Sequence, residues 1–167
     1  MTSEPGAWVL LTYKLPRDPS TPRSSVWRRL RRLGVAQLAD GLVALPEDAR
    51  TREQLEWIAD EVLAAGGVAM LWNARPTAMG DERAIAAQLS ADRSLEYADL
   101  TARATAALDA APVEQRRALR SVRTELRAVR RRDYFSAEGK QTATRAVDAL
   151  ARKVAEIDEP TASEVGR

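Results

Sequence analysis

The residues best placed to do chemistry in this sequence are arginines. Between Arg116 and Arg132 eight arginines stand against a single acid, Glu125. Leu119, Val122, Leu126 and Val129 recur there at helical spacing. Arg116, Arg120, Arg123, Arg127 and Arg130 lie beside that apolar seam, about 100° round the helix. Such a strip suits phosphate or another oxyanion, because the guanidinium is a planar fork of donors and its contacts release counterions from nucleic acid. A second cluster, Arg28, Arg29, Arg31 and Arg32, surrounds Leu30 and has the same footprint. The competing reading is structural. Basic runs commonly form solvated faces, and acids of the preceding helix, Asp92, Glu96 and Asp99, could pair with the longer strip.

Other chemistry is poorly provided for. The 167 residues contain neither Cys nor His, which removes thiols, the commonest general base and the commonest zinc ligand. Glu53, Glu56, Asp60 and Glu61 share one helix, but carboxylates alone on one face are a weak metal signal and read as a solvated surface. There is no G-x-S-x-G. Gly139-Lys140 is not a phosphate loop, because Tyr134 occupies the position of the earlier glycine. The expectation is a protein that is not an enzyme and takes no cofactor. The four tryptophans, Trp8, Trp27, Trp57 and Trp72, are expected in the core. Base stacking would need exposed rings beside basic residues, and Trp27 is the one fair candidate.

The elements that position these residues follow from periodicity. An apolar run, Ala7 to Leu11, reads as a strand buried on both faces. Ser20 or Thr21 can cap a helix with Pro22 at its first position, and Gly34 ends it. Val35 to Ala39 and Leu42 to Leu45 flank Asp40-Gly41, a hairpin signal. Thr51 to Gln54 fits a capping box, opening a helix with Leu55, Ile58, Ala59, Val62 and Leu63 on one stripe. Gly66-Gly67 stops it, and Val68 to Trp72 is a last strand. The fold class expected is α+β: a ferredoxin-like βαββαβ domain over residues 1–76, then an α-helical region over 77–158. Three helices are predicted there, at about 80–109, 112–131 and 137–157, the last with Ala143, Val147, Leu150, Val154 and Ile157 as a narrow seam. Residues 159–167 are expected to be a frayed tail. No apolar run is long enough to span a bilayer, and MTSEPGAW lacks the regions of a signal peptide, so a cytoplasmic protein without membrane contact is expected.

The wording of the sequence is itself informative. YKLP, PSTPR, VWRRLRRLGV, DGLVALP and TREQLEW, followed by RSLEYADL and RDYFSAEGK, resemble the N-terminal domain of the chromate resistance protein family ChrB, over about residues 7–155. The block RRLRRLGVAQLADGLVALP is also similar, over a shorter stretch, to the ferredoxin-like middle domain of PaaX-type repressors. The resemblance implies a chromate-responsive transcriptional regulator of a chromate-transporter operon. The expectation is a DNA-binding regulator whose partners are operator DNA, chromate or another oxyanion, and a second copy in a homodimer. The alternative is a stand-alone oxyanion-sensing or protein-interaction module without DNA binding. Members of the family usually continue into a C-terminal chromate-resistance domain, whereas this chain ends at Arg167. The resemblance therefore implies either the DNA-binding or oligomerising half or a stand-alone relative. No helix-turn-helix pattern is visible, so base readout has no assigned helix.

Overall fold

The computed structural model describes residues 6–18 and 20–158, so the expected tail at 159–167 lies outside the described residues. The elements run in the order β1 (Trp8–Lys14), α1 (Thr21–Leu33), β2 (Ala36–Ala39), β3 (Leu42–Pro46), α2 (Ala49–Ala64), β4 (Val68–Ala74), α3 (Met79–Ala106), a 3-10 turn (Ala107–Asp109), α4 (Pro112–Arg131) and α5 (Lys140–Asp158). The described residues thus form a mixed structure, with one four-stranded antiparallel sheet and five α-helices, and most of them are helical. The sheet order is β2-β3-β1-β4. The chain divides into two compact units that meet at Leu89 and Ser90, inside α3. No described helix is long and apolar enough to cross a membrane.

In the first unit β1 is central. Val9 pairs with Leu45 and Asn73, and Leu11 with Val43 and Leu71. Strand alternation sends these side chains to one face, where Val26 and Leu30 of α1 and Leu55, Ile58 and Val62 of α2 are also buried. Each such aliphatic side chain contributes about 1.5–3 kcal/mol by leaving water. Burial of β1 on both faces is only partly met. Trp8, Val9 and Leu11 are buried, but Leu10 and Thr12, on the other face, are half-buried. Near Trp8 that face is closed by the start of α3, where Trp8 Nε1 donates to Glu82 Oε1 at 3.4 Å.

Two turns show why glycine stands where it does. Gly41 has φ of 71°, and a Cβ there would fall 2.3 Å from the Tyr13 carbonyl oxygen. The close approach lets Tyr13 N–H donate to Gly41 O at 2.7 Å, tying the hairpin to β1. At Gly34 the left-handed conformation, φ 68°, closes α1.

Three expectations need correction. Trp27, Trp57 and Trp72 are not core residues; they are 50%, 59% and 50% exposed, and only Trp8, at 1%, is buried. The apolar stripe of α2 already turns Trp57 outward, because it lies about 200° from Leu55. Trp72 follows Leu71 on a strand and so faces away from it. The capping box of α2 is set three residues earlier than Thr51–Gln54. Asp48 is the cap, its carboxylate accepting from Thr51 N–H at 2.7 Å while Thr51 Oγ1 accepts from Asp48 N–H at 3.0 Å. Thr51 is drawn inward because its hydroxyl also donates to Pro46 O at the end of β3, 2.6 Å away. The last helix begins at Lys140 rather than 137, since Ser136 and Gly139 both adopt positive φ, and Ile157 lies at its exposed edge.

The second unit is built on one cluster. Tyr97, Leu100 and Ala104 from α3 meet Leu119, Val122, Leu126 and Val129 from α4 and Ala143, Val147, Leu150 and Val154 from α5. This apolar seam of α4 fixes which way its arginines point.

Candidate nucleic-acid interface

With Leu119, Val122, Leu126 and Val129 buried, the neighbouring positions must flank the core. Arg120, Arg123, Arg127 and Arg130 are exposed and Arg116 is half-buried. The side chains of Arg120, Arg123 and Arg127 make no ion pair or hydrogen bond among the described residues. The ends of the strip are engaged. Arg116 reaches Asp158 on α5, Nη2 to Oδ1 at 2.6 Å and Nε to the same oxygen at 2.9 Å. Arg130 Nη2 donates to Thr144 Oγ1 at 2.6 Å.

The acids that could have neutralised the strip are placed elsewhere. Asp99 pairs with Arg103 at 3.2 Å. Glu96 pairs with Arg93 at 3.2 Å and with Arg132 at 2.9 Å. Asp92 makes no ion pair among the described residues. Glu125, the acid of the arginine-rich stretch, is clamped by Arg103, whose Nη2 donates to Oε1 at 2.9 Å while Ser121 Oγ donates to the same oxygen at 3.0 Å. Those bonds, Arg103's first, hold the Glu125 carboxyl below the usual carboxylate range, and Glu125 raises Arg103 in return. Arg132 differs from the strip: burial lowers its pKa, and it belongs to the Glu96 cluster.

In the first unit, α1 presents Arg28, Arg29, Arg31 and Arg32, all exposed. Arg28 Nε donates to Ser24 O of its own helix at 3.2 Å. Arg29 pairs with Glu61 of α2 at 3.1 Å, so one acid of the α2 group serves as a partner for α1. The Arg31 guanidinium lies 4.8 Å from the centre of the Trp27 ring, a cation–π contact at the surface. Arg29, Arg32, Leu33, Gln54, Trp57 and Ile58 line a shallow hollow between α1 and α2.

Sequence reasoning missed two features. Trp57, expected in the core, stands exposed beside Arg29 and Arg32. The signal was its position opposite the α2 stripe. At the start of α5, Arg130, Lys140, Thr142, Thr144 and Arg145 surround a second open hollow. Lys140 and Arg145 carry no recognisable motif, and α4 and α5 are brought together only by packing. Lys140 is itself held by Asp133 at 3.4 Å. Among the described residues there is no cluster of three or more acids that could hold a metal.

Residues 23–164 match the family model described as Protein ChrB, N-terminal. The chain is also 30% identical over 136 residues to Protein ChrB of Cupriavidus metallidurans, and the aligned stretch covers 79% of this chain and 41% of that protein. The chain therefore spans less than half the length of this relative. No solved structure matches it. Both the match across the arginine-rich helix and the shared sequence identity lead to one assignment: the chain belongs to the family of ChrB N-terminal domains.

Proposed function

We propose that this chain is a DNA-binding regulator of the ChrB type, acting in resistance to chromate or a related oxyanion in the cytoplasm, with the α4 strip as its main phosphate contact. The carrying observation is that Arg120, Arg123 and Arg127 stand exposed along one face while Glu96, Asp99 and Glu125 are committed to Arg93, Arg103 and Arg132. A cationic strip left unneutralised favours a polyanion. The exposed rings of Trp27 and Trp57 beside α1 arginines add sites at which a base or sugar could pack. The first unit is read as ferredoxin-like, supported by its βαββαβ order and the antiparallel order β2-β3-β1-β4. This reading assigns no catalytic residue and no cofactor.

The test is duplex binding measured by fluorescence anisotropy across a salt series. Each phosphate contact should contribute about −0.9 to the slope of log K against log salt. Arg120→Ala with Arg127→Ala should weaken binding to every duplex and flatten that slope by about two units. No duplex binding by the wild-type protein at low salt would overturn the reading. A second reading, oxyanion sensing without DNA, is favoured by the hollow lined by Arg130, Lys140 and Arg145 with Thr142 and Thr144. Titration with chromate and with sulfate, read by thermal shift, tests it separately.

A further inference from the structure

The two edges of the sheet are treated differently. β2 is four residues long, its pairing with β3 is irregular between Gln37 and Ala39, and Asp40 follows it. Short length, irregular register and a nearby charge are the usual means of blunting an edge. β4 has neither the short length nor the irregular register, although Arg75 follows it as Asp40 follows β2. It is seven residues, VAMLWNA, in unbroken register with β1 from Val68 to Ala74, without charge, proline or bulge. Among the described residues no strand pairs with its outer edge. Val68, Met70 and Trp72 point to the open face of the sheet and are 67%, 52% and 50% exposed. Large exposed apolar side chains grouped beside an unpaired edge mark an association surface.

We propose that β4 pairs antiparallel with β4 of a second copy of this chain, about a two-fold axis at Leu71, to give one continuous eight-stranded sheet. The sequence of the strand is self-complementary in that register. Leu71 faces Leu71 of the second copy, Ala69 faces Asn73, Val68 faces Ala74, and Met70 faces Trp72 twice. Residues directly opposite in an antiparallel pair lie on the same face. The open face therefore gains two Met–Trp pairs, a favourable sulfur–aromatic contact. No like charges are opposed anywhere along the seam. A second copy fits better than a foreign strand because one two-fold operation satisfies every position at once, as an isologous interface requires. One strand pair with its flanking side chains is small for an interface, so the dimer is concentration-dependent rather than obligate.

The full chain should show a monomer–dimer equilibrium in sedimentation velocity. Met70→Glu alone should weaken the dimer about tenfold or more, by placing a carboxylate against the electron-rich face of the Trp72 ring and removing the sulfur contact. Trp72→Lys alone should do the same, by setting an ammonium against the Met70 side chain and removing the ring. Combined in one chain, the two changes should restore association, because the introduced ammonium then faces the introduced carboxylate across the seam. Both positions are half-exposed, and an unchanged far-ultraviolet spectrum and melting temperature would show that each variant folds. A wild-type chain that stays monomeric, whatever else β4 then binds, overturns the proposal. So does a dimer indifferent to Met70→Glu, and so does a double variant as monomeric as the single ones. Salt-dependent duplex binding that survives in such a monomer would leave the regulatory reading standing while removing this one.

Discussion

Trp8 and Trp57 are the same residue type in the same unit, and their exposures are 1% and 59%. Trp8 fills the junction of β1 and the first turns of α3, with its indole N–H donating to Glu82. Trp8→Ala should therefore leave a cavity and an unpaired buried carboxylate, at a cost of about 3–5 kcal/mol. Trp57→Ala removes a ring that lies mostly in water and should cost less than about 1 kcal/mol. Chemical denaturation of the two variants checks this contrast. Acrylamide should quench most of the native tryptophan emission, since three of the four rings are exposed. At this scale the sequence was legible for charge and misleading for aromatics. An arginine beside an apolar seam has one place to go. A tryptophan is apolar enough for the core and amphipathic enough for the surface, so its residue type does not decide; its phase relative to Leu55 or Leu71 does.

Elements were easier to read than the bonds between them. The periodicity of α4 predicted Pro112–Arg131 as observed, because Pro112 and the apolar seam are both local signals. The clamp between α3 and α4 is not local: Arg103 and Glu125 are joined only when the helices pack. The clamp makes a pH prediction. Glu125's carboxyl is held below its ordinary range, so the unfolded chain binds its proton more readily than the folded one. Its contribution to stability is present above the ordinary glutamate value of about 4.3 and is lost as pH falls through the lower folded value. Glu125 is 46% exposed and solvent screens the pair, so the effect is under about 1 kcal/mol. Glu125→Gln should lower the denaturation midpoint at neutral pH, and the gap from wild type should shrink steadily on acidification. A gap that stays constant through the acid range would contradict this assignment.

The whole chain carries a net charge of only +2, so no long-range field of one sign draws it to DNA. On the proposed reading, DNA binding rests on local clusters, and the described residues offer two, on α1 in the first unit and α4 in the second. The same arithmetic separates a contact surface from a structural one. Arg116 is bonded to Asp158 at 2.6 Å, so Arg116→Ala removes a tie between α4 and α5 and should lower stability slightly, as exposed ion pairs do, by up to about 1 kcal/mol. Arg120 and Arg127 make no side-chain ion pair or hydrogen bond among the described residues, so their removal should leave the melting temperature unchanged while duplex affinity falls. Among the described residues Arg28 and Arg32 on α1 likewise make no ion pair, unlike Arg29, which holds Glu61. If α1 meets phosphates independently of α4, Arg28→Ala with Arg32→Ala should flatten the salt slope by about two further units. The two effects should add in the four-fold variant, because the two sites share no partner residue. Expected, then, is a protein with wild-type stability whose salt slope has fallen by about four units. A slope altered by the α4 changes alone would confine the phosphate contacts to the second unit and leave Trp27 and Trp57 without a nucleic acid to pack against.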